Sequence, residues 1–541
     1  YRPWVVQLYN KQFLSYITNY SIMEAMLTPA TFLFLTWALA MAAFHYVYRQ
    51  RFGSKAKQYS KQDAEDITNN NAAPQLQTAP GPKPLPIIGN LHQLAKYEKN
   101  PYAGFTEMAE EYGSIYSLQM GVTPTLVVSS TEGLKEVLIT KGPKFDGRPD
   151  FLRWNLYFDG DRQRSLALCD WSDLQKTRRG IIRSFLLMKA HSNNHSNLDT
   201  VLINEMETLM AEFDKTVGVP MKAKIPIQWC AMNVFLQYMC DVKFEYSEAK
   251  FQKVCRQFDL IFEDINNGHP TDFLPWLSPF YSRHLNGVKG TAAEIRNFIL
   301  ENIVQQHSDN DSPDKTKNVL EGLLSNHKNP GKDEVRMDFD NLLFALEDLL
   351  GGSSAIGNVM LRVLAFVAQN PEVQKKLQEE ADRVVGDNSA VSVDHRKEMP
   401  YTEATIMEVL RHTSSPIVPH VANQDTSLGN YEVKKGTVIF INNYALNMSE
   451  KYWDEPHTFK PERFIKNGSF TKPANFLPFS TGKRACVGSR ILMHVCFVTL
   501  VNIVQKFTLA VPEKEEVYLP VGKISVIGDG FNMLLNHRSR G

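Results

Sequence analysis

The chain carries no surplus charge of either sign. Lys+Arg and Asp+Glu total 59 each in 541 residues, so a basic surface for nucleic acid has no compositional support. Cysteine is scarce. Cys169, Cys230, Cys240, Cys255, Cys486 and Cys496 form none of the close pairs of a zinc site, and six in this length are too few for a disulfide scaffold. They suit a reducing compartment, and five of them read as small buried apolar residues. Internal repeats are lacking, as is a glycine-rich fingerprint for a nicotinamide or flavin dinucleotide. Material for a large core is abundant: 43% of residues are hydrophobic, with 31 Phe and 20 Tyr.

One further absence is local. From Met26 to Tyr48 there is no Asp, Glu, Lys or Arg, and a run of that length spans a bilayer as one helix, which needs ~20 residues. Arg49, Arg51, Lys55 and Lys57 follow at once, against only Arg2 and Lys11 upstream. The positive-inside bias then places the C-terminal bulk in the cytosol. A cleaved signal peptide would have a shorter apolar core, ~7–15 residues, so 26–48 is expected to be an uncleaved single-pass anchor. Residues 1–25 form an upstream extension with no assigned function. Residues 49–79 are polar, with an Asn69-Asn70-Asn71 run, and read as a tether. Residues 80–90 are proline-rich and predict a stiff, extended hinge; a polyproline ligand for an SH3-like module is the alternative. A single large domain is expected over 80–541, longer than the ~100–200 residues of an ordinary domain.

Near the C-terminus the chain reads Phe479-Ser480-Thr481-Gly482-Lys483-Arg484-Ala485-Cys486-Val487-Gly488, just before a predicted helix. A thiolate is a strong electron donor to iron, and haem held by cysteine favours O–O cleavage. Glycines let backbone N–H groups approach the sulfur and temper its charge. A Gly-rich loop around a buried free cysteine is the plainer alternative for this window. The segment resembles the haem-binding signature of the cytochrome P450 superfamily, Phe-x-x-Gly-x-Arg-x-Cys-x-Gly, with every fixed position present. The resemblance implies haem b with Cys486 as axial iron ligand, and Phe479, Gly482, Arg484 and Gly488 around it.

Periodicity supplies the remaining elements. Ser114–Ser130 alternates around Gly121 and predicts a β-hairpin. Mostly helical segments follow through Ser325. A long apolar helix is expected over Asp338–Gln369, ended by Asn370-Pro371, then helices over Pro371–Val385 and about Tyr401–His412. Short strands surround Gly429–Asn442, and a helix runs from after Cys486 to about Gln505. The order is that of the P450 fold, mainly α with a small β portion, and the resemblance runs from about Pro80 to the C-terminus.

Other windows agree. Glu408 and Arg411 stand at i, i+3 on one helix face, where they can pair. Phe459-Lys460-Pro461-Glu462-Arg463-Phe464 resembles the family's Pro-Glu-Arg-Phe element, which implies that Arg463 joins them in a buried network holding the loop before the cysteine. The resemblance also implies haem-propionate partners at Arg484, at Arg148 in Phe145-Asp146-Gly147-Arg148-Pro149, at Trp171 and at His420. The family usually has Arg four residues after the tryptophan; here that position is Gln175, with Lys176 next.

The long helix departs from the family. Where the pattern has an acid and an alcohol that deliver protons during oxygen activation, this chain reads Gly351-Gly352-Ser353-Ser354-Ala355-Ile356. Gly352 keeps the oxygen groove, while Ser354 and Ala355 replace the acid and the threonine. Gly352, Ser353 and Ser354 are the expected catalytic positions, with water or a substrate hydroxyl as other proton sources. This helix, with Glu347-Asp348 before it, and the Asp170-Trp171-Ser172 segment look like the arthropod Spook/Spookier group. That group acts early in ecdysteroid synthesis, after 7-dehydrocholesterol.

The reading is a membrane-anchored haem-thiolate monooxygenase of the endoplasmic reticulum, single-pass with a cytosolic catalytic domain, acting on a sterol-derived substrate with O₂. Electrons are expected from NADPH through NADPH-cytochrome P450 reductase, docking beside Lys483, Arg490, Lys176 and Arg179. Substrate contacts are expected from Phe151, Phe158, Ala345, Pro416, Ile417 and Val418. Two alternatives stay open: a haem-thiolate isomerase or dehydratase needing no reductase, and a non-catalytic haem-bearing sterol carrier or sensor.

Overall fold

The computed structural model describes residues 76–97, 100–307, 317–386, 389–522, 528 and 530–538. The expected extension, anchor and nearly all of the tether lie outside the described residues. Within them, nine helices of fourteen residues or more build the molecule. They are α1 (Asp173–Leu186), α2 (Asn193–Asp214), α3 (Lys224–Cys240), α4 (Ala249–Asn266), α5 (Ser282–Ile299), α6 (Phe339–Gln369), α7 (Pro371–Val384), α8 (Pro400–Thr413) and α9 (Ser489–Lys506).

The central element is α6. Asp338 caps it by accepting the backbone N–H of Asn341 at 2.6 Å, and Asn370-Pro371 ends it, since proline cannot continue an i→i−4 ladder. It is apolar on nearly every face, the pattern of a helix buried all round. Among the described residues it alone is long and apolar enough to cross a membrane, but most of that stretch is buried inside the protein. α3, α4, α5, α8 and α9 pack against it. Leu346, Leu350, Leu361 and Leu364 are fully buried there.

The main sheet has four strands, β1 (Ile115–Met120), β2 (Thr123–Val128), β3 (His420–Val421) and β4 (Val438–Ile441), in the order β1-β2-β4-β3. β1 and β2 form the expected hairpin. Gly121 at its turn has φ +57°, and a Cβ there would meet Phe273 O at 2.1 Å, so only glycine fits. β2 pairs in parallel with β4, and β4 antiparallel with β3, which sets His420 opposite Ile439. A bridge from Val421 to Gly147 brings Arg148 beside this sheet edge. The helices expected over Asp338–Gln369, Pro371–Val385 and Tyr401–His412 are α6, α7 and α8, within a residue or two at each end.

Two features were not legible in advance. Met221–Lys222, inside a stretch read as helical, is a strand that pairs with Asn532–His537. The compact body also begins upstream of the hinge. Gln77 N donates to Asn430 O at 2.9 Å, Ala79 is buried, and Ser117 N donates to Pro80 O at 2.7 Å. The start of the proline-rich segment is therefore held against β1, and residues 76–79 belong to the fold rather than to a tether.

Candidate functional site

The Cys486 loop is closed by two backbone hydrogen bonds. Cys486 N donates to Phe479 O at 3.0 Å and Ala485 N to Gly482 O at 3.2 Å. Gly482 has φ +74°, and a Cβ on it would lie 2.2 Å from Leu138 O, which explains glycine at that position. α9 begins at Ser489 with Gly488 as its N-cap. The Cys486 thiol lies deep in the protein, yet its accessible surface opens onto a cavity of about 410 Å³. Burial pushes the thiol pKa up, while the backbone N–H groups of Gly488 and Ser489 and the Arg179 charge pull it down. Those donors and that cation stabilise a thiolate.

Three arginines line the same cavity end, and His420 lies beside one of them, Arg148, without lining the cavity itself. Arg484 donates through Nη2 to Ala167 O (3.1 Å) and Cys169 O (2.7 Å). Arg148 donates through Nε to Ala167 O (3.2 Å) and through Nη1 to Val418 O (3.2 Å) and Pro419 O (3.1 Å). Arg179 donates through Nη2 to the carbonyl of Ala485. His420 Nδ1 meets Phe145 O at 2.6 Å. Arg484 Nε and Nη1, Arg179 Nε and His420 Nε2 are buried with no partner among the described residues. Burial, then the neighbouring Arg484, lowers Arg148 well below the usual guanidinium range and brings Arg179 to about 10. His420 is lowered by burial, then by Arg148.

Buried arginines with unused donors, and with no carboxylate bonded to their side chains among the described residues, call for an anion. The two carboxylates of a haem are such an anion, and Cys486 on the same cavity is the iron ligand, so the residues present fit the group. His420 Nδ1 must carry its proton to meet a carbonyl, so Nε2 donates only in the imidazolium form. A carboxylate beside it would favour that form.

The geometry corrects two of the expected partners. Trp171 precedes α1 instead of lying on it and does not line the cavity; Lys483 Nζ lies 4.6 Å and the Arg484 guanidinium 6.0 Å from its ring centroid. Gln175 is fully buried and donates to Leu166 O. Arg179, expected at an exposed docking face, is buried at the cavity. It stands one turn after Gln175 on the same helix face.

From Gly351 on, α6 lines the cavity with Gly351, Gly352, Ala355, Ile356, Asn358, Val359 and Arg362, positions of one helix face. Ser353 and Ser354 are buried off that face and do not line the cavity. Ser353 Oγ donates to Leu350 O at 2.7 Å and lies 3.6 Å from Met232 Sδ on α3. A catalytic role for either serine is therefore at odds with the helix geometry, while Gly352 stays on the wall.

Two adjacent acids also line the cavity, Glu347 and Asp348, about one turn before Gly351 and Gly352. Asp348 accepts from Ser165 Oγ (2.6 Å), Leu166 N (2.7 Å) and Ala167 N (3.0 Å). Glu347 Oε2 accepts from Arg296 Nε at 3.0 Å, and burial pushes Glu347 up to about 8 against that pairing.

Below the loop, Arg411 Nε and Nη2 donate to the two oxygens of Glu408 at 2.8 and 2.9 Å, and Arg463 Nε donates to Glu408 Oε1 at 3.0 Å. Glu408 and Arg411 are fully buried. Arg411 Nη1 also donates to the carbonyls of Asn447 and Pro456, each at 2.7 Å. Of the expected substrate contacts, Phe158, Pro416, Ile417 and Val418 line the cavity. Phe151 instead packs edge-on against Trp154 (4.8 Å) and Phe273 (5.3 Å), and Ala345 is fully buried in helix packing. Of the expected docking charges, Lys176 and Arg490 are exposed, and Lys483 pairs with Asp146.

Comparison with known proteins gives one family. The family model described as Cytochrome P450 matches residues 79–528. The chain is 40% identical over 503 residues to Cytochrome P450 307a1 of Drosophila melanogaster, covering 87% of this chain and 91% of that protein. It is 30% identical over 457 residues to a steroid 17-alpha-hydroxylase/17,20 lyase of Rana dybowskii, covering 82% and 86%. To the Homo sapiens protein of that name it is 28% identical over 472 residues, covering 84% and 91%. A solved zebrafish cytochrome P450 structure with abiraterone superposes with a TM-score of 0.69 at 25% identity, covering 81% of this chain and 99% of that one.

Proposed function

The chain belongs to the cytochrome P450 family, and within it we propose a membrane-bound enzyme of early ecdysteroid synthesis, acting on a sterol after 7-dehydrocholesterol. It is a haem-thiolate monooxygenase that uses O₂ and NADPH-derived electrons from a separate redox partner. Bound at Cys486, the haem supplies oxygen activation with a thiolate push.

The chain's own residues do the rest. Gly488 and Ser489 N–H groups and Arg179 hold negative charge on Sγ. Arg484, Arg148, Arg179 and His420 supply donors for the carboxylates. Gly351 and Gly352 leave room above the cavity floor, and Phe158, Ile417 and Val418 exclude water from the substrate. Ala355 supplies no hydroxyl on the cavity face of α6 and Ser354 lies off that face, so water or a hydroxyl of the substrate is the proposed proton source there.

One observation carries the reading. The cavity face of α6 presents Gly351, Gly352, Ala355 and Ile356, the stretch that resembles the Spook/Spookier group, and the cavity beside it is long enough to be lined from α4 to Cys486. Two named relatives act, by their names, on steroids, which supports a sterol-derived substrate. NADPH-cytochrome P450 reductase is the proposed electron donor, docking near Lys176, Lys483 and Arg490. An endoplasmic-reticulum location with a cytosolic domain is part of the proposal, and contact of the catalytic domain with a bilayer is supported by exposed Ile87, Val122, Trp276 and Phe280. Hydrogen bonds from Gly121 N to Ile88 O (3.2 Å) and Val122 N to Phe273 O (3.0 Å) bring their segments together, as an apolar patch for a bilayer.

The test is incubation of reductase-reconstituted protein with 7-dehydrocholesterol and NADPH, followed by product analysis. An oxidised sterol formed only with NADPH supports the reading. Turnover without NADPH would favour an isomerase or dehydratase, and an unchanged sterol would remove the substrate assignment.

A further inference from the structure

The mechanism leaves one cavity acid unused. Asp348 Oδ2 accepts three donors from the Ser165–Ala167 loop, which tie that side chain to the loop. Glu347 is different. Arg296 on α5 engages only its Oε2, and among the described residues no protein donor meets Oε1. Arg296 is itself held firmly: Nη2 donates to Tyr157 O at 2.8 Å, and its guanidinium carbon lies 4.1 Å from the Phe344 ring centroid. Phe158, Ile261, Ile265 and Ile295 line the same cavity. A half-used carboxylate in such a wall is costly unless something completes its hydrogen bonding.

We propose that Glu347, positioned by Arg296, is the specificity residue that anchors the hydroxyl at one end of an otherwise apolar sterol. The hydroxyl hydrogen is donated to Glu347 Oε1. Ala355 follows Glu347 by 355 − 347 = 8 residues, or ~12 Å along the helix axis. The anchored end thus sits well away from Ala355, and the far part of the rigid ring system or its side chain is presented to the Cys486 end of the cavity. A small apolar substrate held by wall contacts alone could not use both ends. This inference rests on the sterol reading above and adds to it the end by which the sterol is held.

The experiment uses the full haem-loaded protein and the Soret shift on sterol binding, which needs no turnover. The probes are 7-dehydrocholesterol and its 3-O-methyl ether, which keeps the shape and the oxygen but loses the donated hydrogen. Titrations are run at pH 9, above the value of about 8 to which burial raises Glu347, so that it is the carboxylate that accepts. A hydrogen bond to a charged group corresponds to roughly ten- to hundredfold in affinity, and the wild type should bind the free sterol at least about tenfold tighter than the ether. In Glu347→Leu that preference should vanish through weaker binding of the free sterol, with ether affinity little changed. Glu347→Gln, nearly isosteric, guards against a folding defect and should retain part of the preference. The thiolate CO spectrum of each variant reports an intact haem site.

Equal wild-type affinity for sterol and ether would overturn the anchor. A wild-type preference that survives in both variants would also overturn it, placing the anchor elsewhere while leaving the sterol reading intact. No Soret response to either sterol in the haem-loaded wild type would remove the sterol reading itself, and the anchor with it.

Discussion

Arg179 on α1 donates through Nη2 to the carbonyl of Ala485, the residue before Cys486, so a helix more than 300 residues upstream is tied directly to the cysteine loop. The same guanidinium reaches the cavity. One side chain thus holds the loop shape, contributes positive charge beside the sulfur and offers a donor to the haem carboxylates.

Replacing it should loosen haem without unfolding the protein. Arg179→Leu is expected to lower haem per polypeptide severalfold, and Arg179→Lys to restore part of it by charge alone. Cys486→Ala is the reference, in which the long-wavelength Soret band of the reduced CO complex should disappear. Haem content and that band, recorded for all three, are the check. An Arg179→Leu protein with full haem content would reduce Arg179 to a packing contact of the cysteine loop with no part in holding haem.

The Glu408 network should behave as a buried charge cluster. Removing Glu408 leaves Arg411 and Arg463 without their shared acid; stranding one side of a buried pair costs about 3–5 kcal/mol. Glu408→Leu is expected to lower the thermal midpoint markedly and to give little haem-loaded protein. A double replacement, Glu408→Leu with Arg411→Leu, should recover part of the loss. Additive losses in the two singles would argue against coupling.

His494 on α9 supplies a pH dependence. Burial first, then Arg396, His195 and Arg490, push it down to about 3 from an ordinary 6.5, with Asp394 opposing. Its ring nitrogen Nδ1 is buried without a partner among the described residues. The unfolded chain takes up the proton near 6.5 and the folded one only near 3. Its contribution is therefore intact above about pH 6.5 and is lost as pH falls toward 3, by up to about 1.4 kcal/mol per pH unit. Thermal midpoints at pH 7.5 and 5.5 should fall less in His494→Gln than in wild type. An equal fall in both would mean other groups carry the acid sensitivity.

Restoring the family's alcohol should not help this enzyme. Ala355 faces the cavity, so Ala355→Thr places a hydroxyl there that costs ~1–3 kcal/mol if unsatisfied. Ser354→Glu would bury a carboxylate in packing off the cavity face, where it cannot serve the chemistry. Product formed per NADPH consumed is expected to stay level or fall in Ala355→Thr and in the double variant, and to stay unchanged in Ser353→Ala and Ser354→Ala. A clear rise in the threonine variant would mark the natural helix as that of an impaired ordinary oxygenase.

The N-terminal segment has its own test. Deleting residues 26–48 should release much of the protein from membranes with haem retained. The patch of Ile87, Val122, Trp276 and Phe280 should hold a remainder, and adding Trp276→Ser and Phe280→Ser should release it. Loss of haem on deleting 26–48 would place that segment in the fold.

What the sequence alone determined were features whose physics is local. The loop around Cys486 is set by glycines that tolerate backbone contact, as Gly482 does against Leu138 O. α6 is marked by its length, its Asp338 cap and the Asn370-Pro371 stop, and Glu408 and Arg411 meet because i and i+3 share a face. Direction and distant neighbours were decided only in three dimensions. A run such as Gly351–Ile356 does not state which residues meet the cavity. Packing of α3 and α4 against α6 decides that Gly351, Gly352 and Ala355 do and that the two serines do not. α1 starts two residues after Trp171, which does not line the cavity, whereas Arg179 within that helix does. The unpaired donors of Arg484, Arg179 and His420 come from three separate segments, and only their convergence makes them a binding site for carboxylates.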